Sequence, residues 1–250
     1  MRNAIAEFDG VTKTYRAALW PGWTVAALRG VSFAIEPGEV FGVVGPNLAG
    51  KTTLLKILLG LCRPTGGRVF RLGRPLSERG TLARVGYMHE NQAFPRYLSV
   101  SQLLEYYGSL SGMSPSALQV RVPALLERVG LADRAREPIG RFSKGMIQRL
   151  ALAQSVLTEP ELLLLDEPTE GLDLSARDVL REIVGEQRTS GKSVLLVSHA
   201  INEVARVCDR LAVLVEGRLA FLGSLMSLTD PSGAPSERSL EVALDAIYRT

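Results

Sequence analysis

A chain of 250 residues is long enough for one large α/β domain or a core with a subdomain, and needs no disulfide or metal staple to fold. With 46% hydrophobic and 22% charged residues it is neither disordered nor collagen-like. Its net charge of +3, from 29 basic and 26 acidic residues with no dense basic block, makes no electrostatic case for a nucleic-acid partner.

Residues 4 to 44 read as short strands separated by turns, and VSFAI at 31–35 with EVFGVV at 39–44, divided by Pro37-Gly38, predicts an antiparallel hairpin. After a glycine-rich stretch, Leu54, Leu55, Leu58 and Leu59 recur at helical spacing until Gly60, giving strand, loop and helix in that order. A hairpin-like strand at 67–72 and a strand near 84–88 follow. From about 99 to 158 the apolar spacing is helical, which predicts a helical insert. LLLL at 162–165, a helix from about Ser175 to Arg188, SVLLVS at 193–198 and a further helix restore βαβ order. A hairpin over LAVLVEGRLAFLG turns at Glu216-Gly217, and a Pro/Ser/Gly stretch at 229–237 precedes a short terminal helix.

The N-terminus, MRNAIAEFDG, lacks the apolar core of a signal peptide, and no uncharged apolar run approaches the about 20 residues that span a bilayer. A membrane role is therefore expected to come from another chain. Cys62 and Cys208, both near helix ends, have no metal-ligand spacing and read as free buried thiols of a reducing compartment.

GPNLAGKTT at 45–53 fits the phosphate-loop pattern GxxxxGK[ST] through Gly45, Gly50, Lys51 and Thr52. A buried strand precedes it and a helix follows, so backbone amides and the positive helix end converge on phosphate oxygens. Lys51, one of only 5 lysines beside 24 arginines, would reach the β- and γ-phosphates, and the Thr52 hydroxyl would hold Mg²⁺. In ELLLLDEP at 161–168 an apolar strand ends in two carboxylates at the edge where open α/β sheets bind ligands. Asp166 suits Mg²⁺, and Glu167 suits a general base toward water. Ser143 in FSKGM reads as a helix N-cap, either of an ordinary amphipathic helix or of a second anion site. His199 follows an apolar strand and could meet a γ-phosphate at the same sheet edge.

RFSKGMIQRLALAQSVLTEPELLLLDEPTEGLD at 141–173 resembles the signature helix, Walker B strand and D-loop of ATP-binding cassette (ABC) ATPases, and the resemblance spans nearly the whole chain. It implies a P-loop NTPase core with a RecA-like mixed sheet, an antiparallel β subdomain and an inserted helical subdomain. The implied ATPase domain covers residues 1–223, with its core in 1–88 and 159–223 and the helical subdomain at about 90–158. A linker and short helix would fill 224–250.

The resemblance also implies a site. Gly45, Pro46, Asn47, Leu48, Ala49, Gly50, Lys51, Thr52 and Thr53 would bind ATP as Walker A, and Tyr15 would stack on adenine unless it is a plain strand aromatic. Glu90 stands in the Q-loop position, with Thr52 and Asp166 at Mg²⁺. Glu167, His199 and Lys51 are the implied catalytic residues and Asp173 is the D-loop aspartate. Ser143, Lys144, Gly145 and Met146 would act in trans, because in this family two ATPase subunits, alike or different, associate head to tail around two ATP molecules. The implied location is peripheral, on the cytoplasmic face of the cell membrane.

The sequence departs from the family pattern at Leu48, where glycine is common; if that position needs positive φ, leucine is strained by about 1 to 2 kcal/mol. Lys144 and Met146 replace Gly and Gln, a variant resembling those of ABC-2 type exporter subunits, and His89-Glu90 replaces Pro-Gln or Pro-Glu. Tyr87, Phe94, Tyr97, Tyr106 and Tyr107 gather where core and insert join, and in this family an integral membrane permease docks there, near residues 90–107. That use predicts that Phe94 and Tyr97 are partly exposed, and finding both fully buried would undo it; Tyr106 and Tyr107 could equally pack the insert. The reading is thus an ATP-hydrolysing transporter subunit, most readily of an exporter. Its rivals are a soluble cassette ATPase outside transport and a weakly hydrolysing nucleotide sensor.

Overall fold

The computed structural model describes residues 4–16, 24–228 and 237–248. Among the described residues, ten strands form two sheets. The antiparallel sheet takes β1 (Ala6–Arg16), β2 (Thr24–Ile35), β4 (Gly66–Arg71) and β5 (Arg74–Pro75) in the order β2-β1-β4-β5. The larger sheet takes β3 (Val40–Val44), β6 (Val85–Met88), β7 (Leu162–Asp166), β8 (Ser193–Ser198), β9 (Arg210–Val215) and β10 (Arg218–Ser224) in the order β10-β9-β3-β8-β7-β6. Its members run parallel except β10, which pairs antiparallel with β9. The protein is thus α/β, with a mixed sheet and a separate antiparallel sheet.

Side-chain alternation along the central strands divides the interior into two cores. Val40, Val44, Leu163, Leu165, Val194 and Leu196 face one core, while Phe41, Val43, Leu162, Leu164, Leu195 and Val197 face the other. The first core takes the apolar faces of α2 (Val100–Leu110), α3 (Pro115–Arg128), α4 (Lys144–Ser155), α5 (Leu174–Thr189) and α6 (Ile201–Val207). The second holds α1 (Lys51–Leu58) between the large sheet and the antiparallel one. Strands buried on both faces read as unbroken apolar runs, which is why LLLL was visible as a strand.

The expected hairpin across Pro37-Gly38 does not form. β2 pairs with β1 from Ala6↔Ile35 to Arg16↔Thr24, whereas β3 pairs parallel with β8 and β9, so the turn carries the chain from one sheet to the other. Turn residues fix a change of direction but not a partner, and the partners of β3 lie about 150 residues away. The hairpin of β9 and β10 is as expected, with Glu216 at φ 47° and Gly217 at φ 77°, the left-handed pair that a tight two-residue turn needs.

Past β10 come α7 (Leu225–Leu228) and α8 (Glu237–Tyr248), whose Leu240 and Leu244 are buried in the first core beside α6. Most of the Pro/Ser/Gly stretch falls outside the described residues, as does the N-terminal segment before residue 4. Among the described residues no helix is long and apolar enough to cross a membrane.

Candidate functional site

A cleft of about 820 Å³ opens at the C-terminal ends of the central strands, walled by loop residues 47–53 with Tyr15, Glu90, Glu167, Glu170 and His199. The loop from β3 into α1 approaches other backbone closely at two glycines. A Cβ on Gly45 would lie 2.3 Å from Leu214 O, and one on Gly50, at φ 103°, would lie 2.4 Å from Ala27 O. Gly50 is also the N-cap of α1 and supplies no side-chain cap, so the first turn presents its amides and positive dipole end to the cleft. Leu48 does take φ 67°, and its side chain is 99% exposed, so the loop keeps its shape at the expected strain.

Lys51 is buried, and its Nζ donates to Gly45 O (2.6 Å) and Pro46 O (3.1 Å) while lying 4.0 Å from Glu167 Oε1. Burial lowers its pKa, and Glu167, Asp166 and Glu90 pull the other way. Glu167 is set rigidly. Its Oε2 accepts from Ser198 Oγ (2.9 Å) and His199 N (3.2 Å) and lies 2.9 Å from His199 Nδ1, and its backbone sits at φ 48°. Its second oxygen faces Lys51.

Asp166, fully buried at the end of β7, has both carboxylate oxygens without a hydrogen-bond partner. Burial first, then Glu90 and Glu167, pushes its pKa up to about 7. An orphaned buried carboxylate with Glu90 and Glu167 near it fits a hard divalent cation such as Mg²⁺, which takes few protein oxygens, and Thr52 lines the adjoining cleft. Among the described residues no cluster of three or more His, Cys, Asp and Glu forms a complete metal cage.

Tyr15, 39% exposed on β1, stands at the cleft with Lys13 Nζ 4.8 Å from its ring centroid and its hydroxyl 3.7 Å from Cys62 Sγ. Cys62 is accordingly only half-buried, unlike Cys208, so the expectation of two buried thiols holds for one. Glu90 reaches the cleft and its carbonyl accepts from Gln148 Nε2 on α4 at 2.7 Å, tying the helical layer to the loop after β6.

Ser143, Lys144, Gly145 and Met146 lie outside the walls of this cleft. Ser143 caps α4, its Oγ accepting from Met146 N at 3.3 Å, and the segment borders a second hollow of about 300 Å³ together with Asp173. Lys144 Nζ donates to Glu170 Oε1 (2.5 Å), and Arg149 Nη2 donates to both carboxylate oxygens of Asp173 (2.7 Å), itself the N-cap of α5. Asp173 is held in its charged form by the Ala176 amide and by Arg149, which lower its pKa.

Ser198, Gln148, Arg149 and Glu170 were missed in the sequence. Ser198 could have been found by adjacency to His199. Arg149 could not, because its partner lies 24 residues on. At the junction of core and insert, Tyr97 is 82% exposed, but Phe94 is only 7% exposed, packed edge-on to Tyr107 in the first core. The expectation of a partly exposed Phe94 is therefore corrected: a ring next to the start of α2 gains more from the core than from solvent. Tyr106 is exposed and Tyr107 packs inward.

The family model for "ABC transporter" matches residues 28–170. The chain is 44% identical over 218 residues to an uncharacterised ABC transporter ATP-binding protein of Nostoc sp., covering 86% of this chain and 65% of that protein. It is 38% identical over 230 residues to the Nod factor export ATP-binding protein I of Paraburkholderia xenovorans, covering 91% and 73%. It thus spans slightly less than two thirds of the Nostoc relative's length. Among solved structures, the ATP binding subunit of an ABC transporter superposes with a TM-score of 0.83 at 28% identity, covering 98% of both chains. A dimeric ATP-binding cassette in a post-hydrolysis state, bound to ADP and Pi, gives 0.80 at 25% identity, covering 88% of this chain and 98% of the other.

Proposed function

This chain belongs to the ABC transporter family of ATP-binding proteins, and from that premise we propose that it binds and hydrolyses ATP to drive a membrane permease, as the ATPase subunit of an exporter. The observation that carries the hydrolytic part is the convergence of Lys51, Glu167 and His199 beside an uncapped phosphate loop. The loop amides and Lys51 bind the phosphates, and Tyr15 lies against the base. Thr52, Asp166 and Glu90 would hold Mg²⁺, which would supply positive charge against the phosphates.

Glu167, oriented through one oxygen by Ser198 and His199, uses the other to accept the proton of the attacking water. As the water oxygen bonds to the γ-phosphorus, the bond to the β-phosphate oxygen breaks and ADP carries that electron pair away. The second imidazole nitrogen of His199 is free to meet the γ-phosphate. Lys51 supplies positive charge where negative charge gathers.

Ser143 to Met146 open a different hollow from the phosphate loop, which supports their use on ATP held by a second subunit, alike or different, in a head-to-tail pair. Asp173, on the rim of that hollow, would face the same interface. Loss of the γ-phosphate charge then loosens the pair, so hydrolysis becomes motion. We assign permease docking to the junction near residues 90–107, where Tyr97 and Tyr106 are exposed, and a peripheral position on the cytoplasmic membrane face follows. Export is supported by relatives named for Nod factor export. The permease would choose the substrate.

Gentle solubilisation of membranes from cells carrying the tagged protein at native level tests this reading. It requires a polytopic membrane protein to co-purify in near-equal amount; recovery only in the soluble fraction, or with ribosomes or DNA, would move the chain to the cassette ATPases that work outside transport.

A further inference from the structure

Arg71, the last residue of β4, is fully buried, and the partners that meet its guanidinium are neutral oxygens. Nε and Nη2 donate to Thr81 Oγ1 at 2.9 and 2.7 Å, and Nη1 donates to Leu58 O. Thr81 Oγ1 spends its own proton on Glu78 O at 2.7 Å, which leaves its lone pairs for the arginine. Burial lowers the pKa of Arg71, yet a guanidinium stays charged. Desolvating a cation is costly, so a position that keeps one must gain from where it points.

It points at the end of α1. The last four carbonyls of a helix lack intrahelical partners. In α1, Leu55 O accepts from Leu59 N, Lys56 O from Leu61 N and Ile57 O from Gly60 N, all backbone amides of the turn that follows. Leu58 O is taken by Arg71, which places a positive charge at the negative end of the helix dipole. Eight residues make a helix about 12 Å long, too short to be stable by itself, so its position depends on how both ends are held. The opposite end is the phosphate loop, with no side-chain cap.

We propose that Arg71 is a positioning residue for nucleotide binding: it anchors the C-terminal end of α1 through Leu58, with Thr81 as its brace, and so sets the phosphate-loop amides at the other end. This rests on the ATP-binding reading above. It concerns a side chain outside the cleft, one that touches no nucleotide.

The test measures the dissociation constant for MgATP and the thermal midpoint in wild type, Arg71→Met, Arg71→Lys and Thr81→Val. Arg71→Met is expected to weaken binding about tenfold, Arg71→Lys to bring it back within about threefold of wild type by restoring a cation, and Thr81→Val to weaken it about threefold. A lowered midpoint with the dissociation constant of folded Arg71→Met within about twofold of wild type would reduce Arg71 to a structural residue and overturn the proposal. If Arg71→Met does not fold, unchanged binding in Thr81→Val overturns it equally. A wild-type chain that bound no ATP would sink the ATP reading instead. Amide exchange over residues 51–58 would then decide about Arg71, faster in Thr81→Val if the anchor is real and unchanged if it is not.

Discussion

α1 and α4 both begin at hollows of this molecule, and they begin differently. α1 starts at Gly50 with no side-chain cap, whereas the first turn of α4 is already bonded to Ser143 Oγ. A helix end whose amides are unclaimed gives up nothing when an anion arrives. A capped end is formed before any ligand comes, and contributes a hydroxyl and the remaining amides to whatever docks against it. The comparison teaches why one segment must be built on glycine and a buried lysine, while the other tolerates Lys144 and Met146 in place of the usual residues. The first is shaped by its glycines and by Lys51, which donates to Gly45 O and Pro46 O, the second by its own cap and by ion pairs to the loop containing Glu170 and Asp173.

The contrast sharpens under substitution. Lys51→Ala removes the charge at the open end and should lower kcat/KM for ATP by at least about 100-fold, as loss of a preorganised donor to a developing anion does elsewhere. Steady-state phosphate release would measure it, and a fall under about tenfold would put the chemistry somewhere other than α1. Ser143→Ala should cost about 1 kcal/mol of unfolding free energy through the lost cap, read by urea denaturation, while MgATP affinity of the isolated subunit stays within about twofold. A large loss of affinity in that variant would mean that the two ends serve one site in one chain. Leu48→Gly relieves a left-handed leucine but adds unfolded-state entropy, for a net gain of about 0.5 to 1 kcal/mol. A thermal midpoint that falls instead would show the exposed leucine to be stabilising by packing, contrary to its 99% exposure.

The local parts of this architecture were legible in the sequence. The phosphate-loop pattern, the β7 strand with its two acids, and His199 just past β8 each announce themselves within a few residues, because the candidate groups follow strands whose central residues are apolar. Ser143 was legible as a cap because a serine just before a helical apolar pattern is a local signal. What could not be read were the partnerships made over long separations. Pro37-Gly38 looks like a hairpin turn, but only the pairing of β3 with β8 and β9 shows that it joins two sheets. Phe94 sits among aromatic and polar neighbours that suggested a surface, yet the fold brings the core to it. Arg71 gave no signal, since a charged residue at a strand end is usually solvated, and its role depends on a helix end reached only through the sheet packing.

The account stands or falls on cleavage of ATP at the mouth of β7 and β8. Single-turnover assays with γ-labelled ATP and Mg²⁺, run with excess protein on wild type and on Glu167→Gln, address it directly. The expected result is γ-phosphate release by wild type and, in Glu167→Gln, retained ATP binding with release at least about 100-fold slower. Tight binding without cleavage in wild type would contradict the account and leave the chain a nucleotide-binding switch, and equal rates of release in the two proteins would contradict the assignment of Glu167 as the base.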